Sequence, residues 1–250
     1  MQHTSTWFPF VQPNPDPSVR LFCFHYAGGR AVVFRDWKNL LPSWIQVIPV
    51  ELPGRGARIR EPLFRSLDAA VEALHAVVRP HLDLPFAFFG HSMGALISFE
   101  LARALRRSGD PLPSQLFLSA HRAPHLPNPS EPIYGLSQAA FIEKILDMNG
   151  TPPEVLAYPE LLDLVVPILR ADFEVCDTYA YTPAPPLDCP ITVFGGETDH
   201  VVPPALLPAW SEHTSDVFNL HTYPGDHFFL QHVQSDVLSI MSRDLAQVTR

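Results

Sequence analysis

Short apolar segments that alternate with longer helical stretches are the feature that most restricts the fold of this chain. A parallel sheet that is covered on both faces has such short apolar strands, and a helix joins each strand to the next. Six segments have this character and predict strands: Val19–Phe24, Ile45–Val50, Phe86–Phe89, Gln115–Ala120, Ile191–Phe194 and Val217–Tyr223. The pattern therefore predicts an α/β fold with a mostly parallel central sheet flanked by helices.

Helical periodicity is clearest in Leu67–Leu82, where apolar residues recur three and four positions apart. Similar spacing predicts helices over Ala31–Leu41, Met93–Arg107 and Leu230–Val248. Each predicted helix follows a predicted strand or closes the chain, as the connections of a parallel sheet require.

The alternation stops between Ala120 and Pro190, where about 70 residues intervene without a strand. Helical pieces are predicted over Ser137–Asn149, from Pro152 onward, and over Leu161–Thr178. We expect residues 122–188 to form a helical lid inserted into a core made of residues 1–121 and 189–250. A second small domain is the alternative interpretation.

The composition excludes several classes of protein. Hydrophobic residues form 46% of the 250 residues and charged residues 17%, which permits a large core and argues against intrinsic disorder. The net charge of −9 disfavours nucleic acids and anionic membranes as partners, because both require a basic surface. We therefore expect no nucleic-acid or membrane partner.

The cysteines and the apolar runs indicate a cytoplasmic protein. Cys23, Cys176 and Cys189 are odd in number and form no C-x-x-C pair, so we expect reduced thiols in the core. No signal peptide is visible, and no uncharged run reaches the roughly 20 residues of a membrane span. We expect a soluble, cytoplasmic monomer.

The segment Gly90-His91-Ser92-Met93-Gly94 carries the strongest chemical signal. It matches G-x-S-x-G and lies between a predicted strand and a predicted helix. A serine on such a sharp turn needs small neighbours, and its hydroxyl projects at the carboxyl edge of the sheet. The amino terminus of the following helix stabilises negative charge there. An ordinary glycine-rich turn is the alternative, but the strand and helix on either side favour a nucleophile.

A nucleophilic serine of this kind requires an acid and a histidine after later strands, in that order. Asp199 follows Ile191–Phe194, and His227 follows Val217–Tyr223, so both lie at the same edge of the sheet as Ser92. Glu197 and Asp226 are alternatives for the acid. His200 and His221 are alternatives for the base, although His221 lies within a strand.

The oxyanion hole of such an enzyme uses two backbone N–H groups, one from the residue after the nucleophile. Met93 provides that group, and the second falls within His25-Tyr26-Ala27-Gly28-Gly29, here called the oxyanion loop. Neither a phosphate-binding P-loop motif nor G-x-G-x-x-G after a strand is present.

A third loop is rich in arginine and contains Arg55, Arg58, Arg60 and Arg65. A solvated surface loop is the simple interpretation. Arginine also recognises carboxylates and phosphates through two parallel hydrogen bonds, so docking of an acidic partner is the functional alternative.

Taken together, these segments resemble the type II (editing) thioesterases of polyketide and nonribosomal peptide assembly lines, members of the α/β-hydrolase superfamily. The resemblance runs in the same order from about residue 20 to about residue 240. His25 departs from it, because the family usually has proline there. The resemblance rests on Leu21–Gly29, Phe34, Trp37, Glu51–Arg55, Gly90–Gly94, Leu169–Asp172 and Gly225–Phe228.

The resemblance implies an α/β-hydrolase core with a helical lid. It also implies the triad Ser92, Asp199 and His227, with the Ala27 and Met93 amides as the oxyanion hole. The implied reaction is hydrolysis of acyl groups from the phosphopantetheine arm of acyl or peptidyl carrier proteins in antibiotic biosynthesis. No metal or organic cofactor is expected.

Three functions remain open from the sequence. The first is this editing thioesterase, and the second is a carboxylesterase or a chain-releasing thioesterase with the same fold. The third is a non-catalytic, hydrolase-like binding protein, which an intact set of Ser92, Asp199 and His227 disfavours.

Overall fold

The computed structural model describes residues 6–148 and 159–248 of the chain. Six parallel strands form one sheet in the order β2-β1-β3-β4-β5-β6. Their bounds are β1 Val19–Phe24, β2 Ile45–Pro49, β3 Phe86–His91, β4 Gln115–Ser119, β5 Ile191–Gly196 and β6 Phe218–Tyr223. The α/β prediction is confirmed, and each predicted strand is present with its ends shifted by at most two residues.

Five α-helices accompany the sheet in the described residues. They are α1 Leu67–Val78, α2 Met93–Ser108, α3 Gln138–Asp147, α4 Pro159–Asp177 and α5 Gln234–Val248. Ser66 caps α1, since its side chain accepts a hydrogen bond from the amide of Ala69. Gly109, in the left-handed conformation, ends α2.

The core has two layers of side chains, one on each face of the sheet. One face of the sheet packs against α1 and α2, and Leu74, Leu96 and Phe99 lie in this layer. The other face packs against α5 and two short 3-10 turns, with Trp37 and Met241 among its buried residues. Burial on both faces explains why the central strands are apolar without alternation.

The predicted helix Ala31–Leu41 is wrong, because two 3-10 turns, Ala31–Phe34 and Trp37–Asn39, occupy this segment. Buried Ala31, Phe34 and Trp37 are three residues apart. Three residues complete one turn of a 3-10 helix, so this spacing places them on one face of such turns. The predicted helix Leu67–Leu82 likewise ends at Val78 and continues as a 3-10 turn that contains Pro80.

The segment between β4 and β5 contains α3 and α4 in its described part. An apolar cluster separate from the two core layers holds these helices together, with Phe141, Ile145, Val166 and Leu169 among its members. The helical piece predicted from Pro152 lies outside the described residues. The lid interpretation of residues 122–188 remains a prediction.

The cysteines and the helices bear on two further predictions from the sequence. Cys23, Cys176 and Cys189 are free thiols, and none of them forms a disulfide. Among the residues described, no helix combines the length and the apolar character that crossing a membrane requires.

Candidate active site

Ser92 lies on a strained turn between β3 and α2. Its φ of 54° and ψ of −118° are unfavourable for a residue with a side chain, at a cost on the order of 1–3 kcal/mol. Both motif glycines are required by close backbone packing. A Cβ at Gly90 would lie 2.0 Å from the carbonyl oxygen of Gly94, and one at Gly94 would lie 2.1 Å from that of Phe24. The G-x-S-x-G pattern therefore reflects a turn that only glycine permits on both sides of the serine.

Three side chains from three loops form a continuous hydrogen-bonded series at the carboxyl edge of the sheet. The Nε2 atom of His227 lies 3.0 Å from the Oγ atom of Ser92. On the other side of the ring, Nδ1 lies 2.8 Å from the Oδ2 atom of Asp199. Since a carboxylate only accepts, Nδ1 carries a proton, and Nε2 of the neutral ring is free to accept the proton of the serine hydroxyl.

Backbone amides fix the second oxygen of Asp199. Its Oδ1 atom accepts from the amides of Val201 and Val202 at 2.8 and 2.9 Å. These bonds leave Oδ2 for the histidine and satisfy a carboxylate that is almost fully buried. The carboxylate is thereby held in one orientation.

The alternatives for the acid and the base lie elsewhere. Glu197 and His200 are exposed. The Oδ1 atom of Asp226 accepts from the amide of Phe228 at 2.9 Å. His221 is in β6, and its ring stacks on Phe194. Only Asp199 and His227 are brought into the series with Ser92.

The oxyanion loop forms a tight turn beside Ser92. The amide of Gly29 donates to the carbonyl of Tyr26 at 2.9 Å, and Gly28 has the positive φ, 76°, of the third position in a type II turn. Within the described residues, no hydrogen bond uses the amides of Ala27 or Met93. Both are therefore free to donate to a substrate oxygen.

His25 stabilises this loop in place of the expected proline. Its Nδ1 atom donates to the carbonyl of Tyr26 at 2.9 Å. The ring is buried, and burial, followed by the charge of Arg55, lowers its pKa to about 4. His25 is thus a neutral structural residue and not a second base.

A cleft of about 930 Å³, including space open to solvent, lies over the triad. Ser92 and His227 line its floor, and apolar side chains of α3 and α4 line its wall. These are Ile145, Leu169 and Phe173, and Met148, directly after α3, is also part of the lining. His121, which the sequence analysis did not single out, also lines the cleft. The arrangement presents a nucleophile to a mostly apolar substrate.

Two arginines of the arginine loop are buried and not exposed as a docking role requires. Arg55 and Arg58 are buried, with 2% and 4% of their surface exposed, so the prediction that they dock a partner is wrong. Arg55 pairs with Asp172, whereas Arg58 pairs with Glu61 and stacks on Trp7. These internal contacts use the guanidinium groups that a partner would need.

Arg60 and Arg65 are exposed and stay candidates for docking. The Nη1 atom of Arg65 lies 2.6 Å from an oxygen of Glu174 on α4. A surface pair of this kind is weak and exchanges readily with another carboxylate.

Two further buried histidines, His91 and His121, lie close to the site. Burial lowers the pKa of His91 to about 3, and the neighbouring His227 adds to the effect. Burial likewise lowers the pKa of His121 to about 3. Both rings are therefore neutral at physiological pH and place no positive charge beside His227.

We predict that stability decreases as the pH falls below about 6.5, the ordinary pKa of histidine in the unfolded chain. Because folding lowers the pKa of His25, His91 and His121, the unfolded state binds more protons, and stability is lost as the pH falls towards the folded values. Each histidine should contribute a loss of about 1.4 kcal/mol at about pH 5.5. Urea unfolding at about pH 7.5 and pH 5.5 measures the difference. Burial also lowers the pKa of His213 to about 4, so its titration adds to the difference. A His121→Asn variant should lose about 1.4 kcal/mol of it, and equal stability at both pH values would contradict the prediction.

The part of the chain that the structure describes contains no group of three or more His, Cys, Asp or Glu side chains that could hold a metal ion.

Comparison with known proteins gives matches along nearly the whole chain. The model of the thioesterase domain family matches residues 19–245. A protein of Brevibacillus parabrevis, named linear gramicidin dehydrogenase LgrE, is 44% identical over 96% of this chain and 93% of its own length. The gramicidin S biosynthesis protein GrsT of Aneurinibacillus migulanus is 40% identical over 99% of this chain and 97% of its own.

The solved structures agree with these matches. RedJ, a thioesterase from the prodiginine biosynthetic pathway of Streptomyces coelicolor, superposes with a TM-score of 0.86 at 37% identity. The superposition covers 97% of this chain and 100% of that chain. The likeness therefore includes the segment between β4 and β5 as well as the sheet.

Proposed function

Because this chain belongs to the thioesterase domain family and is a thioester hydrolase, we propose that it removes acyl groups from the phosphopantetheine arm of carrier proteins. The acyl group passes through an ester with Ser92. The observation that carries the proposal is the hydrogen-bonded series of Ser92, His227 and Asp199 at the floor of an apolar cleft. Proteins similar to this chain include type II thioesterases of nonribosomal peptide and polyketide pathways. An editing thioesterase acts in pathways of this kind.

In the first step, the Oγ atom of Ser92 attacks the carbonyl carbon of the thioester. The Nε2 atom of His227 takes the hydroxyl proton, and Asp199 stabilises the imidazolium that forms. The amides of Ala27 and Met93 donate to the developing oxyanion, aided by the amino terminus of α2. When the intermediate collapses, the carbon–sulfur bond breaks, and the pantetheine sulfur leaves with the proton from His227.

In the second step, water replaces the thiol. His227 takes a proton from the water, and the resulting hydroxide adds to the acyl-Ser92 carbonyl. Collapse breaks the bond to Oγ, which recovers its proton from His227, and a free carboxylic acid is released. The apolar wall of α3 and α4 accommodates the acyl chain without selecting one chain by hydrogen bonds.

Hydride transfer is an alternative from another reaction class, because one relative is named a dehydrogenase. Nicotinamide cofactors bind α/β sheets at a G-x-G-x-x-G turn that follows a strand. The turn after β1 here reads His25-Tyr26-Ala27-Gly28-Gly29 and does not contain this motif. The hydrogen-bonded series of Ser92, His227 and Asp199, by contrast, supplies the nucleophile and the base that hydrolysis requires.

Cleavage of three substrates with the same acyl group tests the proposal. We expect the highest kcat/KM on the acyl-carrier protein, a lower value on acyl-pantetheine, and the lowest on a simple ester. Equal or better cleavage of the ester would favour a carboxylesterase. No cleavage of any of the three by folded protein would favour the non-catalytic binding protein.

We predict that Arg60→Glu and Arg65→Gln each weaken activity on carrier-bound acyl groups several-fold at low salt. Carrier proteins are generally acidic, and the net charge of −9 repels them at long range, so a local positive surface should assist the encounter. Salt screens such steering, so the loss should fade as ionic strength rises. The measurement is kcat/KM at several salt concentrations.

The matched control is Arg107→Glu, a charge reversal at the exposed carboxyl end of α2. It should leave carrier-dependent activity unchanged. Activity on acyl-pantetheine should also be unchanged in the Arg60 and Arg65 variants. If these two variants lose activity equally on both substrates, the arginines support the active site and not docking.

A further inference from the structure

A buried ion pair connects the arginine loop to α4. The Nη1 and Nη2 atoms of Arg55 lie 2.7 and 2.8 Å from the two carboxylate oxygens of Asp172. Their side chains are only 2% and 4% exposed. The two residues are 117 positions apart in the sequence, so the pair ties two distant segments together. Replacement of a buried ion pair by apolar residues often costs nothing, so stability alone does not account for it.

Both members of the pair also hold the backbone of the oxyanion loop. The Oδ2 atom of Asp172 accepts from the amide of Gly28 at 2.7 Å. The Nη1 atom of Arg55 donates to the carbonyl of Gly29 at 3.2 Å. The turn is therefore held at an N–H group and at a C=O group, on successive residues.

We propose that Arg55 and Asp172 are positioning residues that set the direction of the Ala27 amide in the oxyanion hole. This inference rests on the proposed function. The Gly28 amide that Asp172 holds belongs to the peptide group next to the one that carries the Ala27 N–H. The change from a type II to a type I turn rotates that peptide group about ψ of Ala27 and leaves φ of Ala27 the same. The bond to Asp172 opposes this rotation, and together with the Arg55 bond to the Gly29 carbonyl it fixes the backbone next to Ala27 and so the position of the Ala27 N–H.

Asp172 requires Arg55 as a positively charged partner because its carboxylate lies so close to the oxyanion loop. An unpaired buried carboxylate there would repel the negative charge that develops on the substrate oxygen. Arg55 neutralises Asp172, and the Oδ2 atom of Asp172 accepts both from Nη1 of Arg55 and from the Gly28 amide. The pair thus gives a strong, charge-assisted hydrogen bond without opposing the reaction.

The same contact joins the oxyanion loop to the wall of the cleft. Leu169, one turn before Asp172 on α4, packs so closely on Gly28 that an added Cβ would lie 2.3 Å from its Cδ2 atom. Leu169 and Phe173 line the acyl cleft on either side of Asp172 in sequence. The oxyanion loop is therefore held only while α4 stays packed against it.

Two variants test the inference, Asp172→Asn and Arg55→Lys. Each breaks the bidentate pairing while preserving size or charge, because asparagine has only one acceptor oxygen and the lysine ammonium lacks the fork of the guanidinium. On an acyl-pantetheine, kcat should fall about 10- to 100-fold, less than the loss from deleting an oxyanion donor, and KM should change less than about twofold.

The decisive readout is the affinity for a trifluoromethyl ketone analogue of the substrate. Ser92 adds to its carbonyl carbon, the hydroxyl proton moves to His227, and the carbonyl oxygen becomes an oxyanion in the hole. Affinity should fall by the same factor as kcat/KM, because both measure stabilisation of the oxyanion. Binding of a thioether analogue, which forms no oxyanion, should stay within about twofold.

Two controls separate positioning from loss of stability. Glu174→Gln removes a salt bridge on the same helix, and Glu100→Gln removes a buried pair with Arg103 on α2. Neither residue contacts the oxyanion loop in the described structure, and neither variant should change the affinity for the ketone. If Asp172→Asn is too unstable to purify, Arg55→Lys, which keeps the charge, gives the same readout.

Unchanged kcat and ketone affinity in a folded Asp172→Asn or Arg55→Lys variant would overturn the inference. A loss confined to KM would also overturn it. Failure of the proposed function is distinguishable from both results, because the wild type itself would then cleave the simple ester at least as well as the carrier-bound substrate, or would cleave none of the three substrates.

Discussion

Ser92→Ala is expected to lower kcat by about six orders of magnitude, the loss seen when the serine of such a triad is removed. The Oγ atom lies 3.0 Å from Nε2 of His227 and is the only hydroxyl of the series. Without it, neither the acyl-enzyme nor its proton transfer can occur. The measurement is single-turnover and steady-state hydrolysis of an acyl-pantetheine.

The fold should survive this change, so that the loss is chemical. Alanine removes one oxygen, and the side-chain hydroxyl of Ser92 makes no cap for α2. The melting temperature should therefore stay close to that of the wild type. Turnover that persists in folded Ser92→Ala would refute the acyl-Ser92 mechanism.

A fluorophosphonate gives an independent check on the nucleophile. It should label Ser92 and not Ser119, which is fully buried with its Oγ atom 2.9 Å from Nδ1 of His91. Ser119→Ala should be labelled like the wild type. Labelling at Ser119 would mean that the wrong serine has been identified.

Asp199→Asn is expected to lower kcat by about four orders of magnitude. The amides of Val201 and Val202 require an oxygen at the position of Oδ1, so the asparagine amide nitrogen must face His227. Its N–H donates to Nδ1, which forces the proton of the neutral ring onto Nε2. The ring then points a donor at Ser92 and cannot accept the hydroxyl proton.

Glu197→Gln and Asp226→Asn are the matched controls for this prediction. Both change a nearby acid to its amide, and in the described structure neither carboxylate is hydrogen-bonded to the His227 ring. Their kcat values should stay within a few-fold of the wild type. If Glu197→Gln is severely impaired and Asp199→Asn is not, the orienting acid is Glu197.

Local patterns in the sequence were sufficient to predict the sheet and the position of the candidate site. Strands buried on both faces are apolar throughout, so their bounds are visible without knowledge of their neighbours. The carboxyl ends of parallel strands share one edge, so residues that follow β3, β5 and β6 must meet there. Chain order therefore predicted that Ser92, His227 and an acid, with Asp199 the expected one, are neighbours.

Contacts between distant segments decided what the sequence left open. The choice of Asp199 over Glu197 and Asp226 depends on which carboxylate the loop after β5 or β6 aims at the ring, and only the packing of those loops fixes this direction. Spacing in Ala31–Leu41 fits both an α-helix and 3-10 turns, and the sheet beneath Phe34 and Trp37 selected the turns.

The arginine loop shows most clearly the difference between what the sequence predicts and what the tertiary structure decides. Its charges are visible in the sequence, and charged side chains are usually exposed, so the four arginines were expected at the surface, either solvated or docking an acidic partner. Arg55 is buried because its partner, Asp172, comes from α4. A charged side chain is buried in a protein interior only where an opposite charge and hydrogen bonds compensate for the loss of water. Periodicity and local motifs determined the sheet and the edge that carries the candidate site, whereas pairing across the fold decided which charged residues face solvent and which are buried beside that site.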